Sequence, residues 1–145
     1  MTFASSALPT SADFVLDTSA AVALLVEDHT AHGTVQTFCA GATLGLAGHA
    51  SAETYSVLTR LPPPARLTPA AAALAIRTAF PRSVSLSEHT ALTAVDVLAD
   101  AGISGGAVYD GLVGLAARDA GVPLVTCDRR ALGTYAALGV MTRLV

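Results

Sequence analysis

Four acidic side chains stand where stability alone gives no reason for a charge. Asp110 and Asp128 lie in residues 105–130, which read as a helix, a turn at Gly121 and a strand, with Asp128 just past the strand's end. Val113, Gly114 and Ala117 follow Asp110 at helical spacing, so its face of the helix is small and apolar. An ionised carboxylate there is costly unless something cationic answers it. Asp128 follows Val122, Leu124 and Val125, and in open α/β sheets ligands bind at the carboxyl ends of strands. Asp17 closes a short strand, residues 13–17, and opens a helix that begins at Thr18-Ser19. It is either a plain N-cap or a second acid at a strand end. Glu53, in a helix over residues 49–58, shares a stripe with Val57 and Leu61. It is either an inward-facing acid or a side chain snorkelling from the stripe's edge.

If the four converge, their charges repel and their proton affinities rise unless a cation is bound. The set contains oxygen donors and no His or Cys, which suits a hard divalent ion, Mg²⁺ or Mn²⁺. Such an ion orients a phosphate, acidifies a water and stabilises a leaving oxygen, so phosphodiester hydrolysis is the expected reaction class.

The absent residue types narrow the field further. The sequence has no Lys, Trp or Asn, and all 8 of its cations are Arg. That removes the P-loop lysine and Schiff-base chemistry. It also removes phosphatases and phosphoreceivers that pair a strand-end Asp with a lysine. Cys39 and Cys127 form no C-x-x-C and have no His at zinc spacing, so they read as small hydrophobes in a reducing cytoplasm. His29 and His32 lack a third ligand and read as a solvated turn.

Positioning the acids falls to alternating strands and helices. Strands are expected near residues 13–17, 44–47, 83–86, up to Val125, and 140–144, with helices between them. The Pro62-Pro63-Pro64 run ends the Glu53 helix, and Thr68-Pro69 caps and opens the next. In the helix from Ser87 to Ala101, Leu92, Val95, Leu98 and Ala99 are expected inward, with His89, Thr93, Asp96 and Asp100 solvated. The pattern predicts one domain over residues 13–145, a three-layer α/β/α fold with a mainly parallel sheet, preceded by a loose tail, residues 1–12. Only 13% of residues are charged, so apolar surface is expected to remain for a partner. No apolar run approaches the ~18 residues of a membrane span, and the protein is expected to be soluble.

The segments VLDTSAAVALL, ASAETYSVLTRL and VYDGLVGLAARDAGVPLVTCDRRAL, with a closing strand, cover residues 14–145. In these the chain resembles the PIN-domain ribonucleases, most closely the VapC-type toxins of prokaryotic toxin–antitoxin pairs. The resemblance implies a cytoplasmic, Mg²⁺-dependent endoribonuclease, with Mn²⁺ as a substitute, whose acidic set is Asp17, Glu53, Asp110 and Asp128. Asp17 and Asp110 are then direct metal ligands, and Glu53 and Asp128 bind directly or through water. Thr18, Ser19 and Thr126 match positions that support the metal or the carboxylates. A metal-activated water is the implied nucleophile. Many relatives carry a further acid shortly after the last Asp, where this sequence has Arg130 and Ala131, so one-ion and two-ion chemistry both stay open.

A net charge of −3 runs against an RNA substrate, since basic surface usually supplies the affinity. Bound ions would offset the acids, and Arg129 and Arg130, then Arg60 and Arg66, either line a phosphate path or are plain surface. The resemblance also implies a cognate antitoxin that lays an apolar segment over the helices near Glu53 and inserts a basic side chain among the acids. The weakly charged helices are compatible with that and with a homodimer face. The alternative reading is a catalytically silent PIN-like module that binds RNA or protein.

Overall fold

Short strands rich in Val and Leu and buried on both faces pair in parallel when helices carry the chain back between them. The computed structural model, which describes residues 11–145, has four: β1 (Phe14–Leu16), β2 (Leu44–Leu46), β3 (Leu124–Thr126) and β4 (Thr142–Leu144). They form one parallel sheet in the order β2-β1-β3-β4. From β1 the chain steps one way to β2, and β3 and β4 are added on the other side. The crevice outside the carboxyl ends of β1 and β3 is therefore the point where the winding reverses, the usual ligand position in such sheets.

Seven α-helices cover the sheet. α1 (Thr18–Leu25), α2 (His32–Cys39), α3 (Ala50–Thr59) and α4 (Pro69–Ala79) contact one another in series, and α6 (Ala107–Ala120) contacts both α5 (Glu88–Asp100) and α7 (Leu132–Ala137). Right-handed crossovers running in opposite directions from the sheet centre put the two groups on opposite faces, giving three layers. Alanines at the contacts, among them Ala20, Ala21, Ala23, Ala116 and Ala117, are fully buried and let helices approach the sheet closely. Gly121, at φ 66°, ends α6, a left-handed conformation that glycine adopts without penalty.

The structure departs from the sequence reading in four places. Residues 83–86 lie beside β2 without forming a regular strand: one isolated bridge, Ala47 to Val84, follows the end of β2, and Arg82 and Val84 N–H donate to the Leu44 and Leu46 carbonyls (3.1 and 2.8 Å). The Ser83 hydroxyl accepts the Leu46 N–H (2.9 Å) where a neighbouring strand would offer a carbonyl, so the ladder is interrupted. Leu92 and Val95 of α5, expected inside, are each 79% exposed, while Thr90, Ala94 and Leu98 are buried. Two contacts rotate the helix this way. Leu98 fills the notch left by Gly111, where a Cβ would meet its Cδ2 at 2.5 Å. Thr90 and Ser87 are held by Asp119 of α6 through bonds of 3.0 Å from each hydroxyl. α3 ends at Thr59, so Leu61 lies beyond the helical stripe of Glu53. The expected tail falls outside the described residues except for Ser11 and Ala12, and Ala12 is already packed in the core.

Burial raises the Asp119 carboxyl, but hydrogen bonds from Thr90 and Ser87, with Arg118 nearby, outweigh it and hold it below the ordinary carboxylate value. A carboxyl lowered by folding contributes stability above its unfolded pKa and loses it as pH falls through the folded value. Asp119→Ala is expected to cost about 1 kcal/mol at pH 7 and to flatten the acid limb of stability against pH, as read by urea unfolding across acidic and neutral pH. An unchanged acid limb would contradict this role for Asp119.

Candidate active site

The end of β1 runs into α1 without a linker, and that junction shapes the site. Asp17 continues the sheet through its N–H to Val125 O (3.1 Å) and starts the helix through its carbonyl, which accepts Ala21 N–H (2.9 Å). Its side chain caps the helix, Oδ1 accepting Ala20 N–H (3.1 Å) and the Ser19 hydroxyl (2.6 Å). The second oxygen, Oδ2, accepts the phenol of Tyr135 (2.8 Å), a residue 118 positions away. Asp17 is only 5% exposed. The N-cap reading is therefore correct in geometry, yet it describes only one of the two carboxylate oxygens.

The short hydroxyl residues bind this junction to β3. Ser19 Oγ gives its hydrogen to Asp17 and accepts Cys127 N–H at 2.9 Å. A serine has one hydrogen to give, so its 3.3 Å contact with Thr126 Oγ1 runs with Thr126 as donor. Thr126 Oγ1 in turn accepts Asp128 N–H at 3.0 Å. Asp128 caps the single 3₁₀ turn Arg129–Ala131, accepting Arg130 N–H at 2.9 Å. The Arg130 guanidinium also reaches this carboxylate at 3.4 Å, with Arg130 itself 93% exposed, an exposed pair worth little to stability. On the far side, Thr18 Oγ1 donates to Glu53 Oε2 at 2.6 Å, tying α1 to α3.

Asp110 enters from the first turn of α6. Burial, followed by the charges of Asp17, Asp128 and Glu53, raises its carboxyl above the ordinary value, and Arg130 partly offsets them. Asp110 thus feels the charges of the other three acids across the crevice. No three His, Cys, Asp or Glu side chains among the described residues are close enough to grip a bare ion. The crevice opens into a hollow of about 400 Å³ lined by Thr18, Ser19, Val22, His29, Asp128 and Arg130, among others. A larger hollow, about 800 Å³, lies at Phe38 and Val145, has no ionisable side chain in its wall and is set apart from the acids.

Two residues at the site stand outside the candidate set read from the sequence: Tyr135, which drew no reading, and His29, read as part of a solvated turn. Tyr135 is fully buried, and burial, followed by the adjacent Asp17 charge, pushes its phenol well above the ordinary tyrosine range, so it stays a donor. His29 is partly buried, takes Ala31 N–H on Nδ1 (3.1 Å) and faces the hollow, not open solvent. The cysteines are unpaired, Cys39 buried and Cys127 half-buried. Burial raises both thiols, so neither is a nucleophile at neutral pH.

Comparison with known proteins follows this geometry. The PIN domain family model matches residues 14–137. Ribonuclease VapC27 of Mycobacterium tuberculosis is 49% identical over 125 residues, covering 86% of this chain and 91% of the relative. Ribonuclease VapC40 of the same species is 45% identical over 106 residues, covering 69% and 75%. A match from β1 through α7, together with these identities, means that the chain belongs to the PIN-domain family, among its VapC-type members.

Proposed function

We propose that this protein is a metal-dependent endoribonuclease, the toxin of a type II toxin–antitoxin pair, with Asp17, Glu53, Asp110 and Asp128 as its catalytic and metal-binding set. The observation that carries this reading is the placement of Asp17 and Asp128 at the ends of the neighbouring strands β1 and β3 with Glu53 and Asp110 in the first turns of α3 and α6, near enough that burial and the other three charges raise the Asp110 carboxyl. A cluster that stays unneutralised is a cost with no structural return, and a hard cation with oxygen ligands removes it. The donor set fits such an ion: all oxygen, with one lone pair of Asp17 Oδ2 unclaimed by the protein. Because no three His, Cys, Asp or Glu side chains among the described residues close on a bare ion, Mg²⁺, which keeps several of its own waters, is the ion that suits the set.

When bound, the ion would supply Lewis-acid polarisation of the phosphate and a water of lowered pKa. The side chains do the rest. Asp17 and Asp110 would hold the ion, and Glu53, fixed by Thr18, and Asp128, fixed by its own turn, would bind it directly or through its waters. Ser19 and Thr126 align Asp17 and Asp128 without reacting, because Ser19's hydrogen is committed to Asp17. Arg129 and Arg130, both exposed beside Asp128, reach toward the flanking phosphates of single-stranded RNA. Names of the relatives support the substrate, since both are ribonucleases.

A partner surface lies close by. A hollow of about 370 Å³ between the ends of α1 and α3 has an apolar wall including Leu25, Leu58, Leu61 and Leu67, with Glu27 and Asp28 also in its lining. It suits an apolar antitoxin segment carrying a basic side chain. The exposed Leu92 and Val95 on α5 give a separate face for self-association.

Purified protein is expected to cleave single-stranded RNA with Mg²⁺ or Mn²⁺ and to stop in EDTA. Asp110→Asn should lower cleavage by at least about 100-fold and, measured in EDTA, unfold at or above the wild-type temperature because repulsion is relieved. Undiminished cutting by this variant, or by the chelated enzyme, would reject the mechanism, whereas RNA binding by the wild type with no cutting in either metal would favour the silent binding module. Replacing Arg129 and Arg130 together by Ala should raise KM and flatten the dependence of log affinity on log salt by about 0.7 per lost phosphate contact. A salt slope equal to wild type would place RNA elsewhere.

A further inference from the structure

We propose that Tyr135 is a positioning residue that restricts Asp17 to one metal-facing oxygen and fixes its distance from the helix bearing Asp110. The inference rests on the metal-dependent reading above and deepens it.

A buried tyrosine hydroxyl needs a hydrogen-bond partner, and phenylalanine would fill the same space without that need. Tyr135 is fully buried and gives its hydroxyl to Asp17 Oδ2 at 2.8 Å. Packing alone therefore does not call for the oxygen. Its effect is on the carboxylate's free valence. Oδ1 already accepts two hydrogens, from Ser19 Oγ and Ala20 N–H. A carboxylate oxygen offers two lone pairs, so Oδ1 is full and Oδ2, with Tyr135 bound, keeps one. Chelation through both oxygens is blocked, and a single direction is left open.

The ring is as constrained as the hydroxyl. A Cβ at Gly114 would come within 3.0 Å of Tyr135 Cδ1 and 3.1 Å of Val140 Cγ2, so the ring lies directly on α6. Gly114 is four residues after Asp110, one turn along the same face. One rigid side chain thus rests on the Asp110 helix at its ring and on Asp17 at its tip. It sets the separation of two carboxylates that repel each other. The hydroxyl belongs to the second layer around the ion, where partners orient ligands and their removal commonly lowers metal affinity about 10- to 100-fold.

The test is Mn²⁺ binding, followed by the EPR signal of free Mn²⁺, on wild type, Tyr135→Phe and Asp17→Asn, with thermal unfolding and oligoribonucleotide kinetics alongside. Tyr135→Phe should remain folded, bind Mn²⁺ about 10-fold more weakly and lose kcat with little change in KM, the loss being partly recovered at high Mn²⁺. Wild-type Mn²⁺ affinity in folded Tyr135→Phe overturns the proposal. If that variant is recovered unfolded, Gly114→Ala, which keeps the hydroxyl but pushes the ring, carries the same comparison, and wild-type affinity there overturns it. Wild type that takes up no Mn²⁺, or Asp17→Asn that binds it unchanged, rejects the parent metal reading instead.

Discussion

Asp17 is a carboxylate almost wholly removed from water, and buried polar oxygens in that position must be met by donors. The chain meets them with three: the Ala20 N–H, the Ser19 hydroxyl and the Tyr135 phenol. The first turn of α1 adds the positive end of a helix dipole. These donors come from the helix that leaves β1 and from α7, the helix between β3 and β4. The hydroxyl chain from Asp17 through Ser19 to Thr126 then locks the ends of β1 and β3 to each other. Much of the site's geometry follows from satisfying the hydrogen bonds of this one buried side chain.

Once β1 and β3 are neighbours, with helices returning on opposite faces, their carboxyl ends define the crevice. Asp128 arrives there because it follows β3 and caps the next turn. Glu53 and Asp110 arrive on helices α3 and α6, which come from opposite layers. The resulting field is unfavourable to Asp110, and Arg130 offsets it only in part. Under the proposed metal-dependent function, the same crowding is what would attract a divalent ion. Elsewhere the crevice offers no competing chemistry: the thiols are raised, lysine is absent, and the nearby serine is fully engaged.

The sequence made the strand ends and the helix acids legible because those signals are local. A run of apolar residues stopped by Asp, a helix face of small residues beneath Asp110, and Gly121 as a terminator can each be read within a dozen positions. The family resemblance joined the four acids before any geometry was known. What it could not supply were choices made between distant segments. α5 turns Leu92 and Val95 to solvent because Gly111 receives Leu98 and Asp119 holds Thr90, contacts that hydrophobic spacing does not encode. Residues 83–86 have the composition of a strand, yet a serine hydroxyl takes the place of a ladder carbonyl. Tyr135 sits in an unremarkable alanine-rich segment, and only the pairing across 118 residues gives it a role.

The central claim is that four acids from separate elements hold one kind of ion at the end of the sheet. Anomalous scattering from crystals of the protein soaked in Mn²⁺ addresses it most directly. The expected result is a peak at coordination distance from Asp17 Oδ2 and from Asp110, with Glu53 and Asp128 reaching it directly or through ordered water. Well-occupied Mn²⁺ elsewhere on the surface, with the crevice between β1 and β3 showing no anomalous density, would contradict it.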